Sequence, residues 1–289
     1  MSSKPFLKIG GVPEHFNLPW VLALEKNKFR KLSVEISWNY YPGGTGAMTQ
    51  ALKSGDLDVA ILLTEGFMAS YYQGLSARIV HNYIQSPLQW GIYSGKHDQF
   101  LLNEDSKIAI SRKGSGSHLM SMLHAHQLGI KLSEDNFIVV HHLEDAISAL
   151  KDGQCDYFYW EHWMTLKFVQ QGSIRQVGRF SAPWSGFLVV ATQKCLDQFP
   201  SELNSIIQII EDEVKDFVQN PSSPSIIAQR FQLSDMEADE WMRNQIWNFS
   251  PTLSRNEIQL TIDSLRQIGQ PTQSEFPEKI IAPWMQWTE

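Results

Sequence analysis

The sequence predicts an α/β protein made of two similar lobes, and three observations carry that reading. Strand-type and helix-type segments alternate through the first 190 residues, the order that produces a parallel sheet covered by helices. Ala51-Leu52-Lys53-Ser54-Gly55-Asp56-Leu57-Asp58 returns 98 residues later as Ala149-Leu150-Lys151-Asp152-Gly153-Gln154-Cys155-Asp156. That period exceeds the roughly 20–50 residues of a solenoid repeat and suits two lobes built alike. The chain has 289 residues, 43% of them hydrophobic, which at roughly 150 residues per domain is enough for two folded units.

Residues 7–10 read as a short strand that runs into the loop Gly11-Val12-Pro13-Glu14-His15-Phe16-Asn17. Asn17 is suited to cap the helix that follows, with Pro19 tolerated in its first turn. Residues 34–38 alternate as a strand does. Tyr41-Pro42-Gly43-Gly44-Thr45-Gly46 then leads into a helix with Met48, Ala51 and Leu52 on one face. Gly55 is its stop. Residues 59–63 form a continuous apolar run, as expected of a strand buried on both faces. Residues 107–111 form another strand, and Lys113-Gly114-Ser115-Gly116-Ser117-His118 opens a helix that echoes the one opening at Thr45. Beyond about residue 194 the pattern turns helical, over 200–218, 222–231, 234–248 and about 255–268, and a tail carrying Trp284 and Trp287 follows. No low-complexity linker sets this region apart, so it is expected to pack on the N-terminal lobe.

Several function classes are excluded. Lys and Arg number 24 against 31 Asp and Glu, for a net charge of −7 without a basic block, which argues against nucleic acid as a partner. Cys155 and Cys195 form no CxxC pair, so both are expected to be buried thiols. No apolar run reaches the ~18 residues of a membrane span. The start of the chain lacks a signal-peptide pattern, so the expected location is cytoplasmic as given, or periplasmic if a signal was removed. GxSxG, HExxH and P-loop motifs are absent, and the histidines offer no i,i+4 pair. No metal and no cofactor are expected.

What remains is a set of loops that follow strands, where open α/β sheets place their ligands. His15 and Asn17 follow the first strand. Thr45, and Ser115 with Ser117, open helices whose free N–H groups suit an oxyanion; capping alone also accounts for such starts. Thr64 and Glu65 follow the apolar strand, and Glu161 follows its second copy. A strand-end acid beside aromatic rings can hold an amine or ring N–H, although Glu161 also fits as a plain helix-start acid. Trp184 and Trp90 read first as core residues, and both lie near expected crossings between lobes.

Together these pieces resemble type II periplasmic-binding-protein-like folds, in particular the nitrate/sulfonate/taurine and thiamine-pyrimidine-precursor group of solute-binding proteins. The resemblance rests on residues 11–19, 43–65, 108–118 and 149–163 and on Pro183-Trp184, and covers roughly residues 6–200. It implies two lobes joined by crossings near residues 86–93 and 185–191, a central cleft, and closure by hinge bending. Residues 1–90 with 191–289 would form lobe 1, and 91–190 lobe 2. The implied ligand residues are His15, Asn17, Thr45, Thr64, Glu65, Ser115, Ser117 and Glu161, with Trp184 added from its position. The implied partners are a small-molecule ligand and an ABC-transporter permease. The missing leader and lipid-attachment cysteine depart from exported members and look more like cytosolic ones.

The two glutamates favour a pyrimidine-like or amino compound, and the Gly/Ser loops favour an anionic part such as a sulfonate. A zwitterion or a phosphorylated heterocycle satisfies both. The alternative is an enzyme on the same fold, of the thiamine-pyrimidine or menaquinone type, with His15 beside Glu14 or His118 with Glu161 as acid–base pairs. Against it, the Cys-rich iron-associated segment of the pyrimidine-making relatives is missing. A third reading is a sensor that acts through a protein partner.

Overall fold

The apolar runs and glycine stops become two five-stranded sheets, each flanked by helices. A computed structural model describes residues 4–289. The chain begins β1 (Phe6–Gly11), α1 (Leu18–Glu25), β2 (Glu35–Tyr40), α2 (Gly44–Ser54), β3 (Val59–Leu63), α3 (Thr64–Tyr72) and β4 (Ala77–Ile84). It continues β5 (Gln89–Ser94), β6 (Ile108–Ile110), α4 (Gly116–Gln127), β7 (Phe137–Val139), α5 (Leu143–Lys151), β8 (Tyr157–Glu161), α6 (His162–Gln170) and β9 (Arg175–Ser181). The last part is β10 (Phe187–Thr192), α7 (Gln193–Gln198), α8 (Pro200–Gln219), α9 (Ser223–Phe231), α10 (Asp235–Arg243), β11 (Thr252–Ser254), α11 (Arg255–Gln267) and β12 (Gln286–Thr288).

The sheet orders are β2-β1-β3-β10-β4 and β7-β6-β8-β5-β9, the same topology twice. The expected parallel pairing holds for β2-β1-β3 and β7-β6-β8. It fails for β10 and β5, each antiparallel to both of its neighbours. Each of these strands arrives from the other sheet through a short crossing and is inserted between the third and last strands. The crossings are residues 85–88 and 182–186, shorter than the sequence suggested, because Trp90 already pairs in β5 and residues 187–191 in β10.

The internal repeat is structural. Gly55 (φ 81°) and Gly153 (φ 68°) stop α2 and α5 in left-handed conformation, which glycine adopts without a Cβ clash. Asp58 and Asp156 then each make the same pair of hydrogen bonds to a lysine, Lys8 within β1 and Lys107 just before β6. Asp58 donates its N–H to the Lys8 carbonyl (2.9 Å) and accepts the Lys8 N–H on Oδ2 (2.9 Å). Asp156 does both with Lys107, at 2.7 Å each. This correspondence corrects one expectation. The start of α4 at Ser115–Ser117 matches the loop after β1, whereas the start of α2 at Thr45 matches the start of α5.

The C-terminal helices pack on the first sheet's side through α8 against α1 and β4. Lys26 and Lys28 reach the fully buried Glu213 at 2.6 and 2.7 Å. The region also reaches the second sheet's helices, with α11 lying against α4 as well as α3. The helix expected over 234–248 ends at Arg243, because Gln85 donates to the Ile246 carbonyl (2.8 Å) and Trp247 bridges Ile84, which draws the chain straight. No helix among the described residues is long and apolar enough to cross a membrane.

Candidate functional site

Both sheets direct the carboxyl ends of their parallel strands at one cleft. It is lined by Val12 and Glu14 after β1, residues 42–45 before and at the start of α2, and Leu63 at the end of β3. From the second sheet come Ser111, Arg112, Gly116 and Ser117 around the start of α4, and Trp160 and Glu161 at the end of β8. Leu88, Trp90 and Phe187, at the crossings, close the floor. The cleft holds a cavity of about 60 Å³, room for a few water molecules, so a solute larger than that needs the two halves to part. The two halves approach closely: a Cβ on Gly116 would lie 2.5 Å from the Trp90 ring and 2.9 Å from Leu63.

Thr45, Ser117 and Glu161 line this cleft. Thr45 Oγ1 accepts the Leu63 N–H at 3.1 Å, which ties α2 to the end of β3. Ser117 Oγ accepts the Ser111 N–H at 3.2 Å and lies 3.0 Å from Ser115 Oγ. Glu161 is 3% exposed; its Oε2 accepts the Met164 N–H at 2.7 Å and its Oε1 has no partner. Ser115 is set behind them as the cap of α4, accepting the His118 N–H at 3.3 Å.

The other expected residues lie elsewhere. Asn17 does not cap α1; its Nδ2 donates to the Val12 carbonyl at 2.8 Å and holds the β1 loop in shape. It borders a second hollow that shares Glu14 with the cleft and includes Tyr40, Met164, Lys167 and Phe231. His15 is buried against the rings of Phe231 (4.3 Å) and Trp241 (5.3 Å), with neither nitrogen bonded. Burial lowers its pKa to about 3. Thr64 donates to the Ser185 carbonyl at the second crossing. Glu65 is 2% exposed and accepts the Trp184 indole N–H at 2.9 Å, so this pair faces inward, away from the cleft lining. His118 accepts the Gly114 N–H on Nδ1 (3.0 Å) and meets Phe137 edge-on. Neither histidine is bonded to the glutamate that the enzymatic reading paired with it. Among the described residues no three His, Cys, Asp or Glu side chains converge to hold a metal ion.

Two cleft residues were not singled out from the sequence as ligand groups. Arg112 reaches from the second sheet's loop to the first sheet's α2, where a Cβ on Gly46 would lie 2.4 Å from its Nε. Its Nε is buried without a partner, burial lowers its pKa, and no acid offsets that effect. Glu14 is partly exposed, and desolvation in the cleft raises its pKa. Glu161 is raised well above the usual carboxyl range by burial and then by the charge of Glu14. Arg112 follows Ser111 much as Lys113 does, and nothing in the sequence separates the two. In the structure Lys113 pairs with exposed Glu134, whereas the glycines of α2 make room for Arg112.

Comparison with known proteins agrees with this geometry. The family model described as Ca3427-like PBP matches residues 90–180, the span that runs from β5 to β9. The Candida albicans CA3427 gene product, described as defining a new family with the generic periplasmic binding protein fold, superposes with a TM-score of 0.85 at 26% identity, over 94% of this chain and 92% of its own. The alkanesulfonate-binding protein SsuA from Xanthomonas axonopodis pv. citri, bound to MOPS, gives 0.75 at 16% identity, over 99% and 100%. The Escherichia coli periplasmic aliphatic sulphonate binding protein SsuA gives 0.72 at 16%, over 97% and 98%. No curated protein matches the chain in sequence. The chain has the two-lobed type II periplasmic-binding-protein fold.

Proposed function

We propose that this type II periplasmic-binding-protein fold captures a small polar solute in the cleft, with an anionic group of the solute against Arg112 and the start of α2. The observation that carries the reading is Arg112 itself. A guanidinium with a buried, unbonded Nε and no counter-charge is costly, and a sulfonate, phosphonate or carboxylate would recover that cost through paired hydrogen bonds. The N–H groups at the start of α2 add to the attraction.

On this reading the first sheet with the C-terminal helices and the second sheet with its helices move as two bodies about the crossings at residues 85–88 and 182–186, which shifts the expected bounds of 90 and 191 by a few residues. Thr45, Ser117, Glu14, Glu161 and Arg112 meet the solute, while Trp90 and Trp160 form apolar walls. His15, Asn17, Thr64, Glu65, Ser115 and Trp184 hold the walls and the hinge in place. The SsuA neighbour bound to MOPS, a sulfonate that carries a tertiary amine, supports an anion of this class. An ABC-transporter permease is then a downstream partner and not part of the site.

The test is calorimetry with taurine, MOPS, methylphosphonate and acetate on the wild type and on Arg112→Ala. At least one of these anions is expected to bind, and the variant is expected to bind it ten- to a hundredfold more weakly, as loss of about 1.5–3 kcal/mol from a charged hydrogen bond requires. Equal affinity in the two proteins would place the anion elsewhere.

A further inference from the structure

The cleft also holds two carboxyl groups that an anion cannot use. Glu14 comes from the loop after β1 and Glu161 from the end of β8, so they belong to opposite sheets and line the same cleft. Glu161 is nine-tenths or more buried, with Oε1 unpartnered.

No neighbouring cation is paired with either glutamate. Arg112 extends to Gly43–Gly46. On the side of the second hollow, Arg230 of α9 is forked onto Glu25 at 2.9 and 2.8 Å, and Lys167 of α6 leans on Phe168 and reaches toward Gln232. Beyond Glu161, Arg179 of β9 lies 3.4 Å from the His162 ring, and the Tyr93 hydroxyl of β5 bonds Thr165. His162 and His15 adjoin the two glutamates in sequence and are buried neutral, lowered to about 4 and about 3 by burial.

We propose that the closed cleft holds one positive charge between Glu14 and Glu161, a proton when the cleft is empty and an ammonium-type group of the solute when it is loaded, so that solute binding expels a proton. This rests on the solute-binding reading for the loaded state only. Two carboxylates brought together in a low-dielectric cleft repel strongly unless a proton or a cation lies between them. Closing the empty cleft therefore takes up a proton. Loading it exchanges that proton for the cationic end of a zwitterion whose anionic end meets Arg112. The solute class is an amino-sulfonate, amino-phosphonate or amino acid, and not a simple anion.

The experiment has two arms. Small-angle X-ray scattering on the full chain without solute follows its radius of gyration from pH 5.5 to 8.5, with circular dichroism to check that it stays folded. The wild type should be compact at pH 5.5 and expand as the pH rises and the shared proton is lost. Glu14→Gln, which removes one of the two charges, should stay compact to pH 8.5; Glu161→Gln should do the same. A wild type with no change, or a Glu14→Gln curve that follows it, overturns the proposal. The second arm is calorimetry at pH 6 in two buffers of different ionisation enthalpy, with taurine against ethanesulfonate, which shares its anion and lacks its amine. Taurine should bind at least tenfold more tightly and release close to one proton. Equal affinities, or taurine bound without proton release, overturn the exchange and leave anion binding intact. pH-dependent compaction in a chain that binds none of the tested anions would instead leave the shared proton standing and remove the solute-binding reading.

Discussion

Glu65 and Glu161 look equivalent in the sequence and are two residues out of step in the structure. At the 98-residue offset Glu161 matches Leu63, the last residue of β3, and Glu65 matches Trp163 inside α6. The strand-end position faces the cleft, and both Leu63 and Glu161 line it. Two residues further on, the helix has turned the side chain inward, where Glu65 bonds Trp184 and leaves Oε1 unpaired. Burial raises its pKa to about 7. A carboxyl raised in the folded state contributes its full stability below its unfolded pKa of about 4.5 and loses it as the pH rises through about 7. For Glu65 that loss is on the order of 3 kcal/mol. Glu65→Gln keeps an acceptor for Trp184 and cannot ionise, so its stability should fall less than that of the wild type between pH 5 and pH 8, by roughly this amount. Urea unfolding at the two pH values measures it; parallel pH profiles would show that Glu65 does not titrate in that window.

At the level of elements, the sequence was readable where local chemistry decides the outcome. The all-apolar run of β3 is buried along its whole length, and Gly55 and Gly153 stop their helices in the conformation that only glycine adopts freely. The repeat located the two Asp residues that tie α2–β3 and α5–β8 to their sheets. What it could not supply was strand direction. β10 is as apolar as its neighbour β3, and the reversal of β5 and β10 follows from a crossing between sheets that leaves no local pattern. The site was half legible for the same reason. Thr45, Ser117 and Glu161 sit at strand and helix ends that the pattern marks, whereas Arg112 depends on glycines some 66 residues away in the chain. The repeat carries its own prediction. Asp58→Ala and Asp156→Ala each remove an acceptor from a lysine backbone N–H and should each cost about 1–2 kcal/mol, with the exposed Lys96 partner of Asp156 adding little. The two sites lie in different sheets, so the double variant should lose the sum to within about 0.5 kcal/mol in chemical denaturation. A large departure from additivity would mean that the two motifs share partners.

In the whole molecule, the two sheets are joined by two short stretches of chain. Each crossing leaves an edge strand, β4 or β9, and enters an interior one, β5 or β10, so on the solute-binding reading bending would concentrate in residues 85–88 and 182–186. The C-terminal region braces both. Gln85 donates to the Ile246 carbonyl (2.8 Å) and Ser86 Oγ accepts the Ile246 N–H (3.1 Å). At the other crossing Ser185 donates its N–H (3.0 Å) and its hydroxyl (2.6 Å) to Glu257 Oε2 in the first turn of α11. Asn82 and Thr64 add bonds to the Ser185 hydroxyl and carbonyl. The C-terminal region therefore does more than pack on the first sheet, because it ties down both crossings. Glu257→Ala removes two charge-assisted bonds from one crossing while leaving the cleft residues in place. Bonds of this kind contribute about 1.5–3 kcal/mol, so the Ser185 amide should exchange with deuterium ten- to a hundredfold faster, while the amides of β3, which are held by the sheet ladder, keep their protection. If Ser185 retained wild-type protection, the crossing would be held by Asn82 and Thr64 alone, and the brace on that side would be assigned to the first sheet.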